Sequence, residues 1–182
     1  RRRLAGDADF VYLFYGRPGG SKGLPFLLQA LPSVVQALPR SHAVLLLSPE
    51  PSREYGAALE MIRRLGLGPH VTVHPPVARR DLPEYINCSD AVVVPSLSEG
   101  FGFTAAESCA LGKTVVATET GSLPEVVSGR VVFVTKADSA ALARGIIDAF
   151  HGRWQQIPEK RFSWNDSLPG YEAVLAKAAA GR

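Results

Sequence analysis

A chain of 182 residues, 46% apolar and 20% charged, has enough material for one ordinary domain with a sizeable core, and this balance excludes a disordered chain. No apolar run approaches the roughly 20 residues of a membrane-spanning helix. A formal net charge of +3, with scattered lysines and arginines, argues against a nucleic-acid partner.

Arg1, Arg2 and Arg3 run into Leu4-Ala-Gly-Asp7 rather than into the apolar stretch of a signal peptide. They read as a frayed terminus, with contact to an anionic membrane as the alternative. A cytoplasmic chain, peripherally membrane-associated at most in a full-length protein, is the matching expectation. The two cysteines, Cys88 and Cys109, lie in apolar surroundings without metal-ligand spacing, so small buried hydrophobes are the default. No metal site is expected, and no cofactor.

In chain order, strand-like runs occur at Phe10–Tyr15, Ala43–Ser48, Val71–His74, Ala91–Pro95, Thr114–Thr118 and Val131–Val134. Most are near-continuous Val, Leu and Ala without polar alternation, the mark of strands buried on both faces. Between them, helical patterns occupy Gly23–Leu38, Arg53–Leu65, Leu82–Cys88, Phe103–Leu111, Leu123–Val127 and Ser139–Phe150. Gly66 and Gly112 read as helix stops and Asp138 as an N-cap, while Pro32 predicts a kink.

This alternation predicts an α/β fold: a Rossmann-like parallel sheet of about six strands with helices on both faces. Residues 1–150 form the expected domain, and 151–182 a linker and helical tail. In the tail, His151–Arg161 reads as the linker, Pro169-Gly170 as an interruption, and Tyr171–Ala180 as a last helix.

Ligands of such sheets bind beyond the carboxyl ends of the strands. Two loops there carry chemistry. After the fourth strand comes Glu99-Gly-Phe-Gly-Phe-Thr-Ala-Ala-Glu107. Gly100 and Gly102 permit a tight turn that a ligand can approach closely. The helix start near Phe103 offers free N–H groups and a dipole suited to phosphate, and Thr104 adds a hydroxyl. Glu99 and Glu107 flank that position. Carboxylates repel phosphate but accept hydrogen bonds from paired hydroxyls, so one suits a ribose and the other a hexose. After the first strand, Gly16-Arg17…Lys22-Gly23 supplies two cations able to neutralise a diphosphate.

Gly16-Arg17…Lys22-Gly23, Pro95…Glu99-Gly-Phe-Gly-Phe-Thr-Ala-Ala-Glu107 and Val115…Glu125 together resemble the donor-binding half of a GT-B glycosyltransferase of family 4 (glycosyl transferases group 1), with its E-x7-E signature. The likeness runs from about Phe10 to Phe150, and Phe162-Ser-Trp164 resembles the start of that family's C-terminal helix. The resemblance implies retaining, metal-independent transfer of a sugar from a nucleotide-diphosphate donor, which is a substrate rather than a cofactor. It implies that Arg17 and Lys22 bind the diphosphate and, with Glu99, form the catalytic set. Glu99 then holds donor-sugar hydroxyls, Gly100, Phe101, Gly102 and Phe103 lend backbone N–H groups, Glu107 holds the ribose, and Val77 lies beside the base. It also implies a partner: an N-terminal acceptor-binding domain that this sequence does not contain.

The rival reading is a dinucleotide-binding domain. Gly100-x-Gly102-x-x-Ala105 fits its fingerprint, and Glu119 ends the next strand, where an acid would bind a ribose. That reading places the motif after the fourth strand rather than the first and leaves Arg17 and Lys22 unused. A third reading is a non-catalytic sugar-nucleotide-binding module. Gly112-Lys-Thr114 lacks the rest of a P-loop, and no G-x-S-x-G is present.

Overall fold

A computed structural model describes residues 1–180. The continuous apolar runs form strands β1 (Phe10–Gly16), β2 (Ser41–Leu47), β3 (Val71–His74), β4 (Ala91–Val94), β5 (Thr114–Thr118) and β6 (Gly129–Val134). All six pair in parallel, in the order β3-β2-β1-β4-β5-β6. The expected Rossmann-like sheet is therefore present, with predicted boundaries within about two residues of those observed.

Alternation along β1 divides the core. Phe10, Tyr12 and Phe14 pack on one face with helices α2 (Leu24–Ala37), α3 (Ser52–Arg64) and α7 (Ser139–Phe150). Val11 and Leu13 pack on the other face, with α1 (Arg2–Ala5), α4 (Leu82–Cys88), α5 (Phe103–Ala110) and α6 (Leu123–Val126). Asp138 caps α7 as expected, its Oδ1 accepting from the Ala141 amide at 2.8 Å. The chain runs outward from β1 to β2 and β3, then returns to β4 on the other side of β1. The helices that follow β1 and β4 thus fall on opposite faces, and the strand order reverses between them. This reversal opens a crevice at the carboxyl edge.

Three expectations need correction. The segment read as a linker contains a strand, β7 (Gln155–Ile157), which pairs antiparallel with β6 and brings the sheet to seven strands. Pro169-Gly170 does not interrupt the tail: α8 runs from Trp164 to Ala180. Its start is capped by the Ser163 hydroxyl, which accepts from the Asp166 amide at 3.2 Å. The helix is solvent-exposed throughout, so the carbonyl that Pro169 leaves unpaired can bond to water. Nor does the terminus fray. The Arg1 guanidinium forks onto Asp90 at 2.7 and 2.8 Å, and Asp90 also accepts from the Val11 amide at 2.7 Å.

The helix α2 is continuous through Pro32. One interior proline costs about 3 kcal/mol. Burial of Leu27, Leu28, Leu31 and Val34, at about 1.5–3 kcal/mol each, outweighs that cost. No helix among the described residues is long and apolar enough to cross a membrane.

Candidate functional site

The loops after β1 and β4 are built against each other. A 3-10 turn, Gly20–Lys22, ends at Gly23, whose φ of +66° suits glycine. A Cβ at Gly23 would overlap the Pro95 carbonyl, so only glycine lets the first loop lie this close to the second. The Ser21 carbonyl accepts from the Leu97 amide at 2.7 Å and fixes the register of the two loops.

That register delivers Lys22 to Glu99. The Lys22 Nζ donates to Glu99 Oε1 at 3.2 Å and to Oε2 at 2.8 Å. Ser96, itself buried, donates its hydroxyl to Oε2 at 3.0 Å. The Glu99 side chain is only 11% exposed, so the charge has left most of its water and depends on these donors. A carboxylate has about four acceptor positions. Three are taken, and the open one is on Oε1.

The glycine turn follows. Gly102 has φ +94°, and a Cβ there would press on Leu123 and on the Glu99 Cγ. It sits at the N-cap of α5, where the first intrahelical bond runs from the Ala106 amide to the Gly102 carbonyl. The amides of Phe103, Thr104 and Ala105 therefore have no intrahelical acceptor and point out of the helix start. The turn is held from behind by Ser122, whose hydroxyl donates to the Phe101 carbonyl at 2.7 Å.

Glu107 lies one helical turn further in. Its Oε2 accepts from the Tyr15 hydroxyl at 3.1 Å, and the same hydroxyl lies 3.0 Å from the Thr104 carbonyl. Burial, and next the Glu107 charge, raise the Tyr15 pKa well above that of a free phenol, so the hydroxyl stays a donor. Arg79, 91% exposed, approaches Glu107 Oε1 only to 4.0 Å.

Gly16, Arg17 and Val77 line one cleft of about 300 Å³, walled also by Tyr15, Pro76 and Leu82. Arg17 is exposed and makes no ion pair among the described residues. The structure thus brings the sequence-predicted residues to one edge in two groups: Lys22 with Glu99 across the two loops, and Arg17 with Val77 in the cleft. Glu107 is tied to the cleft through Tyr15.

Two residues were not singled out from the sequence. Tyr15 ends a strand that reads as wholly apolar, and Ser96 lies between the fourth strand and the glycine turn. The available signal was position, since each stands at the carboxyl end of a central strand. His74, the last residue of β3, is engaged beside the cleft. Its Nδ1 lies 2.7 Å from the Pro75 carbonyl and so carries the proton, and Nε2 accepts from the Tyr85 hydroxyl at 3.2 Å. Glu119, the acid required by the dinucleotide reading, is exposed and is held through its backbone amide to the Val134 carbonyl.

The sequence profile described as glycosyl transferases group 1 matches residues 9–151, a span that contains both loops. The D-inositol 3-phosphate glycosyltransferase of Xylanimonas cellulosilytica is 34% identical over all of this chain and 46% of its own length. That of Streptomyces scabiei is 34% identical over 98% of this chain and 44% of its own length. The chain thus spans less than half the length of these curated relatives. Among solved structures, Anabaena Alr3699/HepE in complex with UDP superposes with a TM-score of 0.71 at 27% identity, covering 81% of this chain and 40% of that one. The C-terminal domain of the group 1 glycosyl transferase LpcC from Francisella tularensis shares the fold, with a TM-score of 0.65 at 20% identity over 84% of this chain and 88% of that one. With both loops inside the matched span and a third of its residues shared with these curated relatives, the chain belongs to the glycosyl transferases group 1 family.

Proposed function

We propose that this chain is the donor-binding half of a retaining glycosyltransferase, which moves a sugar from a nucleotide-diphosphate sugar to an acceptor without a metal ion. One observation carries the reading. Lys22 and Glu99 meet across two loops at the point where the strand order reverses, beside a helix start with three free amides.

In this proposal the nucleotide enters the cleft with its base beside Val77. Glu107, oriented by Tyr15, accepts from the ribose hydroxyls. The diphosphate lies on the amides of the Gly100–Phe103 turn, near the Thr104 hydroxyl, with Arg17 and Lys22 as counter-charges. The open acceptor position on Glu99 takes a donor-sugar hydroxyl. When the bond between the sugar and the diphosphate breaks, negative charge grows on the departing phosphate oxygen. Lys22 and Arg17 stabilise that charge, the task a metal ion performs elsewhere. Glu99 is engaged by Lys22 and Ser96 and is assigned no nucleophilic role.

HepE binds UDP and UDP-glucose in its solved complexes, which makes these the first ligands to try. Acceptor contacts are assigned to a partner half of the kind the longer relatives have room for. Calorimetric titration of the chain with UDP, GDP, ADP and NAD tests the proposal. A nucleoside diphosphate should bind more tightly than NAD. Preference for NAD would establish the dinucleotide reading instead, and uptake of none of the four would leave a structural module.

A further inference from the structure

The tail reaches the glycine turn. The strand β7 fixes the chain on β6, and the Lys160 ammonium then hooks α6 by donating to the carbonyls of Pro124 and Glu125 at 3.2 and 2.7 Å. Two residues later Phe162 lies edge-on to Phe101, with ring centroids 5.1 Å apart and planes at 81°. Phe101 in turn leans on Phe103, at 4.9 Å and 51°. These two rings bracket Gly102, the residue from which the free amides of α5 begin.

We infer that Phe162 is a positioning residue for the donor site: through Phe101 it holds the Gly100–Phe103 turn in the form that presents its amides to a diphosphate sugar. This rests on the donor-binding reading above. Glycines at positions 100 and 102 make the turn adaptable, and an adaptable turn loses conformational freedom when it binds. Ser122 restrains it from one side through the Phe101 carbonyl, and Phe162 restrains it from the other through the Phe101 ring. Phe162 is itself 55% exposed, so its removal opens no core cavity and should leave the fold intact. What it changes is the share of molecules with the turn already formed, and apparent affinity scales with that share.

The test compares the unaltered chain with Phe162→Ala and Phe162→Tyr by calorimetry against UDP-glucose and uridine, with hydrogen exchange followed at the amides of Gly102 and Phe103. An edge-on aromatic pair is worth roughly 2- to 10-fold in an equilibrium constant, so Phe162→Ala should weaken UDP-glucose by about 3- to 10-fold. Uridine, which does not touch the turn, should change by less than about twofold, within the normal scatter for a surface substitution. The two amides should exchange faster, and Phe162→Tyr should restore all three readouts. Equal affinity for UDP-glucose in Phe162→Ala and the unaltered chain would overturn the inference alone, as would a uridine loss as large as the UDP-glucose loss. An unaltered chain that binds neither UDP-glucose nor any of UDP, GDP and ADP would overturn the donor-binding reading, and this inference with it; where GDP or ADP is the diphosphate taken up, the same comparison is made with the glucose diphosphate and nucleoside of that base.

Discussion

Glu99 and Glu107 carry the same charge and keep different company. Glu99 is pinned by a lysine and a serine hydroxyl from the two loops, while Glu107 has one phenol and a distant, solvated arginine. Their truncation should therefore read differently. Glu107→Ala should weaken UDP and UDP-glucose together, by about 1–3 kcal/mol, the worth of charge-assisted bonds to ribose hydroxyls. Glu99→Ala removes the proposed sugar contact and also frees Lys22 to turn toward phosphate. It should weaken UDP-glucose by a similar amount while UDP is held as well as before or better. Calorimetry on the two variants with both ligands checks this, and parallel losses for both ligands in both variants would contradict the separate roles. Arg17, Lys22, Glu99 and Glu107 were legible because charged residues beside glycines at strand ends are conspicuous. Tyr15 and Ser96 were not, since a tyrosine in an apolar run reads as core and a serine before a turn reads as turn chemistry.

At the level of elements, the outer edge of the sheet holds a hydrogen-bonded chain that should respond to acid. His42 on β2 lies 2.9 Å from the Thr72 hydroxyl on β3, and that hydroxyl donates to the Leu4 carbonyl of α1 at 2.8 Å. The hydroxyl has one proton, already given, so the His42 Nε2 must be the donor to it. Burial, and next the proximity of His70, push the His42 pKa below that of a free imidazole. The unfolded chain then takes up a proton before the folded one does. Stability is flat above the unfolded pKa of about 6.5 and falls as pH drops through the window from there to the folded pKa. Urea midpoints at pH 7.5 and 5.5 should differ in the unaltered chain and differ less in His42→Gln. An unchanged difference would assign the acid sensitivity to other groups. The same scale shows which elements a sequence betrays. The six parallel strands are buried on both faces, so their composition is forced and readable. The edge strand β7 is Gln155-Gln156-Ile157, polar and largely exposed, and only pairing with β6 makes it a strand. Helix α8 was misplaced because its cap at Ser163 and its solvent-exposed course let it run through Pro169, which reads in the sequence as a break.

Taken whole, the described residues gather the candidate donor groups on one edge of the sheet. Lys22, Glu99, Glu107 and Arg17 all emerge beyond the carboxyl ends of β1 and β4, and the proposed function leaves the placing of the acceptor to a partner half. Sugar transfer needs the acceptor hydroxyl held at near-attack distance from the donor carbon, and this positioning accounts for much of the rate of any two-substrate enzyme, on the order of 7–11 kcal/mol. Without it, binding and turnover should separate. The 182-residue chain should take up UDP-glucose yet release UDP no faster with an added inositol phosphate acceptor than without one. The full-length Xylanimonas relative, assayed alongside, provides the measure of what a partner half adds. Acceptor-dependent release of UDP by this chain alone, at a rate near that of the relative, would mean that the acceptor is positioned by residues already described, and the tail around Phe162 and Trp164 would be the place to look for them.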